Sequence, residues 1–264
     1  TRSAVIEESK SELQERLEVL VTAQIIVAKA DTPGTFSFRH ALMRDAAYHT
    51  MLRSVRAMVH ARVAAVLKST FRKVTPGHVL GNHWGLSGNH AEAARCFCQA
   101  AELARSRYAN TDAKAYYETA LSYLDKVDLS EGTNSDALPS RVDLLEQLGL
   151  VLTLVHELDD AVAAFTEAAE IAGGDVLRIA RLHRLAGNAL QQDRERSLKE
   201  LSIAENVLIE TNWQDDSELL CEWTDIQLNR LNVHYWSGDG ETMLELAANL
   251  APLVDRMTPE QRAE

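Results

Sequence analysis

Little in this chain is reactive or covalently constrained. It has only three cysteines, Cys96, Cys98 and Cys221, too few and too oddly placed for a disulfide framework. A reduced, cytoplasmic setting fits. Cys96 and Cys98 fall in an alanine-rich helical stretch, RCFCQAAELA. Spaced i, i+2, they point to different helix faces, which argues against a shared metal. No apolar run approaches the roughly 18 residues of a membrane span, so no membrane contact is expected. The polar start TRSAVIEESKSELQERL lacks the apolar core of a signal peptide. It also lacks an initiator Met, so the chain looks like a piece of a longer protein. The patterns G-x-x-x-x-G-K-[ST], H-E-x-x-H, G-x-S-x-G and G-x-G-x-x-G are missing. Gly81-Asn82-His83-Trp84-Gly85 carries two glycines but sits inside a helical pattern. His78, His83 and His90 have no acidic or thiolate neighbours, so no metal site is expected. No isolated carboxylate pair stands out for acid–base work. The chain therefore reads as non-catalytic, with no cofactor of its own.

What is present is an ordinary soluble composition, with 46% hydrophobic and 25% charged residues. The 264 residues make one or two domains with room for a sizeable core. The net charge of −12 hides an asymmetry. Phe36 to Lys73 carries eight Lys/Arg against one acid, a net of +7. From Lys126 onward, eleven Lys/Arg face twenty-seven Asp/Glu, a net of −16. The basic part could meet phosphates or an acidic partner. The acidic part argues against nucleic acid on the C-terminal portion, because phosphate neutralisation needs clustered Lys/Arg. A solvated helix surface accounts for either charge excess equally well.

Along the chain, Leu13, Leu17, Leu20 and Val21 mark one stripe of a helix over residues 8–23. IIVAKADTPGTFSFRH reads as a hairpin, with β-branched Ile25 to Lys29, turn residues Asp31-Thr32-Pro33-Gly34, and alternation from Thr35 to Phe38. It is the one good strand signal. From His40 the pattern turns helical without Gly or Pro to Phe71, with a break expected near Ser54. Pro76-Gly77 reads as a boundary. Helices then follow over 78–86, 91–108 and 110–126, and a loop over 128–139. Paired helices follow over 140–156 with 159–172, 175–192 with 194–211, and 217–237 with 241–257.

These pairs carry a spaced pattern. Leu148-Gly149 and Leu152 in one helix are followed by Ala161, Phe165 and Ala168 in the next. Leu80-Gly81, Trp84, Ala93, Phe97 and Ala100 repeat it. Ala113, Tyr117 and Ala120 make half a unit, and Ala186-Gly187, Leu190, Ser197, Leu201 and Ala204 a weaker one. The pair ending in Thr242, Leu246 and Asn249 is degenerate. Small residues let two helices cross closely, and the large residue fills the gap to the next pair. The pattern resembles the tetratricopeptide family over about half the chain. It lacks the family's proline at unit ends, and the helix over 110–126 leaves the register open. The resemblance implies a mainly α fold in which an α-solenoid presents a concave face of first helices to a protein or peptide. The candidates on that face are Glu146, Arg178, Arg181, Arg184, Asn188, Asn229 and Asn232.

The segment FSFRHALMRDAAYHTMLRSVRAMVHARVAAVL supplies a second resemblance. Phe38-Arg39-His40-Ala41-Leu42 is followed by Asp45-Ala46-Ala47-Tyr48 and by a helix, Arg56 to Ala64, around His60. This order is similar to the junction after the ATPase module in bacterial STAND-type signalling ATPases. Those proteins are fused to class III adenylate or guanylate cyclases or belong with LuxR-type activators. The resemblance covers about Leu13 to Leu124. It implies a winged-helix remnant and linking helices over 1–75, first tetratricopeptide-like helices over 76–126, and further pairs over 127–264. It also implies ATP or ADP in an upstream domain, and an ATPase domain of the same protein as a partner. RHALMRDAAY further resembles the M-H-D segment of resistance and apoptosome-type ATPases. That likeness implies a nucleotide-sensing role for His40, with Arg39 beside it. Ala41 stands where those relatives have Asp, so the contacts orienting the segment must differ. Two other readings remain open: a winged-helix module that binds nucleic acid, and a stand-alone repeat adaptor. In the latter, Trp213, Trp223 and Trp236 could anchor a homo-oligomer or fill the C-terminal core.

Overall fold

The computed structural model describes residues 9–29, 32, 34–71, 75–128, 138–259 and 261–262. The described chain is mainly α, with one two-stranded hairpin near its start. It separates into two compact units, Thr1–Ala100 with Ser122–Thr133, and Ala101–Leu121 with Asn134–Glu264.

In the first unit, α1 (Lys10–Thr22) opens on a capping box. The Ser9 hydroxyl accepts the Glu12 N–H, and the Glu12 carboxylate accepts the Ser9 N–H. Strands β1 (Ile26–Ala28) and β2 (Phe36–Phe38) pair antiparallel, with Ile26 opposite Phe38. The Arg39 N–H donates to the Ile25 carbonyl at 3.0 Å and extends the ladder. Asp31 and Pro33 of the expected turn lie outside the described residues, as do residues 129–137 of the expected loop.

Helices α2 (Ala41–Thr50) and α3 (Arg53–Thr70) follow. The break expected near Ser54 falls at Met51-Leu52. Both residues adopt extended ψ angles, 138° and 146°, and Ser54 lies inside the next helix. Helix α4 (Gly77–Ser87) packs on α3 and ends at Gly88, whose φ of +88° is a left-handed cap that glycine adopts without strain. Helix α5 (His90–Ser106) meets α4 where Gly81 faces Phe97. A Cβ at Gly81 would lie 2.8 Å from that ring.

The second unit stacks three helix pairs. They are α7 (Arg141–Leu154) with α8 (Leu158–Ile171), α9 (Val176–Ala189) with α10 (Arg194–Ile209), and α11 (Ser217–Ser237) with α12 (Gly240–Leu250). Helix α6 (Asn110–Leu124) precedes them, with Ala113, Tyr117, Ala120 and Leu121 buried. Caps recur. Ser140, Asp175, Asp193, Asp216 and Asp239 each accept a backbone N–H two or three residues on, satisfying donors that a helix start leaves open.

The spaced small and large residues meet as the pattern requires. Gly149 faces Phe165, and a Cβ there would lie 2.6 Å from the ring. Gly187 faces Leu201, while the buried Ser197 hydroxyl donates to the Gly187 carbonyl at 2.7 Å. A core of Ala180, Leu201, Ala204, Leu208, Ile226 and Val233 joins the second and third pairs. Trp213 and Trp223 stack 4.4 Å apart against this core, whereas Trp236 is 74% exposed. The last helix ends at Leu250 and continues as a 3-10 turn, Ala251–Arg256, not as α-helix to Met257. Pro252 explains this, since it lacks an N–H and its ring clashes with an α-helical carbonyl.

Candidate protein-interaction face

The first helices of the three pairs, α7, α9 and α11, each present one polar stripe. Residues three and four apart share a helix face. On α7 the stripe is Asp143, Glu146 and Gln147. On α9 it is Arg178, Arg181, Arg184 and Asn188. On α11 it is Glu222, Asp225, Asn229 and Asn232. Charges pair from helix to helix. Arg178 bonds Asp143 and, at 3.0 Å, Glu146. Arg184 grips Glu222 with Nε and Nη2, the latter at 3.3 Å, and lies 3.7 Å from Asp225. Arg181 Nε lies 3.6 Å from Glu222.

Glu222 is only 4% exposed, and both arginines meet its carboxylate. Burial works against the charge of Arg178 and Arg184. Bonds to Asp143 and Glu146, and to Glu222 with Asp225 nearby, outweigh it and raise both above the usual guanidinium value. The arginines expected on the interaction face therefore also act as clamps between successive pairs.

Between α7 and α9 the stripes enclose a cleft of about 340 Å³. Glu146, Arg178 and Arg181 line it together with Asp143, Gln147 and Asp175. Of two residues lining it, Gln147 Oε1 and Arg178 Nε are buried with no hydrogen-bond partner among the described residues. Asn188 is exposed at the far end of α9 and accepts a bond from Gln191, and Asn229 and Asn232 are half-buried on α11. Asp143, Gln147, Glu222 and Asp225 escaped the sequence reading. Their spacing on the first helices was the available signal.

Arg39 and His40 lie in the other unit. Both are exposed, and His40 is the N-cap of α2 with no side-chain cap bond. The same unit holds a chain of rings that the sequence did not announce. The Tyr48 hydroxyl lies 3.0 Å from His60 Nε2, and His60 Nδ1 lies 2.9 Å from His83 Nδ1 on α4. Burial and the Arg56 charge lower the pKa of His60. Burial and His60 lower that of His83.

Among the described residues, no group of three or more His, Cys, Asp or Glu is placed to hold a metal ion, and no helix is long and apolar enough to cross a membrane. Among solved structures, the chain is similar to BtubC (BKLC) from P. vanneervenii, with 17% identity, 80% of this chain and 84% of that chain covered, and a TM-score of 0.50. The chain is a TPR-like helical repeat protein. The Gly–Phe and Gly–Leu crossings and the stacked pairs define this architecture, and the likeness to BtubC agrees with the fold. A second solved structure is YrrB, described as a TPR protein with an unusual peptide-binding site. It shares 17% identity over 82% of this chain and 90% of that chain, with a TM-score of 0.42. No family model and no curated protein matches this TPR-like chain.

Proposed function

We propose that the chain is a non-catalytic regulatory and protein-interaction segment of a larger signal-transduction ATPase. In this reading the first-helix face of α7, α9 and α11 holds a partner polypeptide. The α1–β1–β2–α2 part, read as a winged-helix remnant, couples that event to a nucleotide switch upstream. One observation carries the binding role. A cleft of about 340 Å³ lies on this face, with the buried Gln147 carbonyl oxygen and the buried Arg178 Nε lacking partners among the described residues. Unmet polar atoms of this kind cost free energy until a ligand or water satisfies them. Once the two side chains turn toward the cleft, an extended peptide backbone offers both a donor for Gln147 and an acceptor for Arg178.

The order Phe38-Arg39-His40-Ala41-Leu42, Asp45-Ala46-Ala47-Tyr48 and the helix around His60 supports the ATPase parentage. An exposed His40 with Arg39 beside it is compatible with contact to a phosphate. The test has two arms. Peptides selected from a random library on the full chain should lose binding in Gln147→Ala and Asn188→Trp variants. The chain alone should bind ATP no tighter than millimolar, since it has no phosphate-binding loop. Peptide binding indifferent to both substitutions would overturn the interaction face, and micromolar ATP binding would overturn the non-catalytic reading.

A further inference from the structure

A second cleft, of about 630 Å³, lies in the first unit between the end of α2, the first turn of α3 and the α4–α5 turn. That volume falls in the range of small-ligand sites, roughly 300–1,000 Å³. Its walls are of two kinds. Tyr48, Ala57 and Leu86 supply apolar surface, and Leu86 is 54% exposed. Arg53 and Arg56 supply donors and positive charge, and His90 adds a ring nitrogen. Among the described residues, no acidic residue lines the cleft. Among the described residues, neither Arg53 nor Arg56 has a carboxylate partner. This is the reverse of the repeat face, where Arg178 and Arg184 are each neutralised. Asp45, on α2, is held by Arg44 at 2.8 Å.

The arrangement is preset. The Arg56 guanidinium lies 5.0 Å over the Tyr48 ring. Tyr48 is held by His60, and His60 by His83, so one arginine is steadied by three side chains from three helices. Such ordering before binding lowers the entropy lost on binding. On the other wall, His90 stacks on Tyr123 at 5.8 Å, and its Nδ1 is buried without a partner.

We propose that this cleft binds a carboxylate carried on an apolar body. Arg53 and Arg56 take the carboxylate, and Tyr48 and Leu86 flank the body. Paired guanidinium donors suit a planar carboxylate. A bare inorganic ion would leave Tyr48 and Leu86 uncovered, and a membrane surface would not fill a concave site. Either a free aryl carboxylate or an acidic side chain next to an aromatic one in a polypeptide supplies this chemistry.

The test is a titration of the full chain, following the imidazole resonances of His60, His83 and His90 by NMR. The probes are benzoate, benzyl alcohol, sodium chloride at matched ionic strength, and an acetylated Glu-Phe-Glu amide. Benzoate is expected to give saturable shifts that benzyl alcohol and chloride do not. Affinity should fall about ten-fold or more in Arg53→Gln and in Arg56→Gln. It should hold in Arg107→Gln, an exposed arginine away from the cleft. Arg53 is exposed, so its variant tests the site without disturbing the core. Neutralising Arg56 by benzoate should also raise the titration midpoint of His60. Tighter binding of the peptide than of benzoate would assign the site to a polypeptide, and equal or weaker binding to a small acid. Shifts reproduced by chloride, or undiminished benzoate binding in both Gln variants, would overturn the proposal.

Discussion

Replacing Gly149 by alanine sets two known effects against each other at one crossing. Within a helix, alanine is favoured over glycine by about 1 kcal/mol, because it has less backbone freedom to lose. Against that stands the Phe165 ring. A Cβ at Gly149 would lie 2.6 Å from one ring carbon and 2.8 Å from two more, about 1 Å inside an ordinary carbon–carbon contact. Phe165 is 1% exposed, so the ring has nowhere to withdraw without moving α8. Overpacking of this kind costs about 1–3 kcal/mol. The net expectation is a loss of about 0–2 kcal/mol in urea denaturation. Gly240→Ala is the internal control. It sits in the first turn of α12 with nothing within 4 Å of its added Cβ, and it should gain up to about 1 kcal/mol. A Gly149→Ala, Phe165→Leu double variant should recover part of the loss. If Gly149→Ala proves as stabilising as Gly240→Ala, the close helix crossing is wrong.

Arg184→Met leaves the buried Glu222 carboxylate without its main partner and should cost about 3–5 kcal/mol, with much of that recovered by adding Glu222→Met. A thermal melt of the single and double variants checks it. The folded state lowers the pKa of His60 and His83 below the ordinary imidazole value of 6.5, so the unfolded chain binds more protons in that range. Their contribution is therefore present above pH 6.5 and is lost as pH falls through the lower folded values. Stability measured from about pH 7.5 down to about pH 5 should drop less in a His60→Asn, His83→Asn variant. Burial raises the Cys96 thiol to about 11, so maleimide at neutral pH should label Cys98 well before Cys96 in the native chain, with mass mapping as the readout.

Much of the repeat architecture was legible because it rests on local signals. Gly149 and Phe165, or Gly81 and Phe97, announce a close crossing by size alone, and acidic caps with glycines mark the turns. The hairpin was legible from alternation around a turn-rich stretch. Pairings across sequence distance were not. Nothing in the run Arg178 to Arg184 says that Asp143, 35 residues earlier, or Glu222, 38 residues later, will meet those arginines. Those contacts depend on the stacking angle between pairs, which no single helix encodes. The α12 end was missed because a helical period outlasts Pro252, and periodicity does not register a missing N–H. The ring chain from Tyr48 to His83 joins three helices and has no linear signature.

The proposed site for a partner polypeptide is the stripe on α7, α9 and α11. The most direct measurement is a competition assay with library-selected peptides on four variants of this chain, Gln147→Ala and Asn188→Trp on the stripe, and Glu170→Gln and Lys199→Gln on α8 and α10. The first two should abolish binding and the last two should leave it unchanged. Equal binding in all four, or loss confined to the last two, would contradict it.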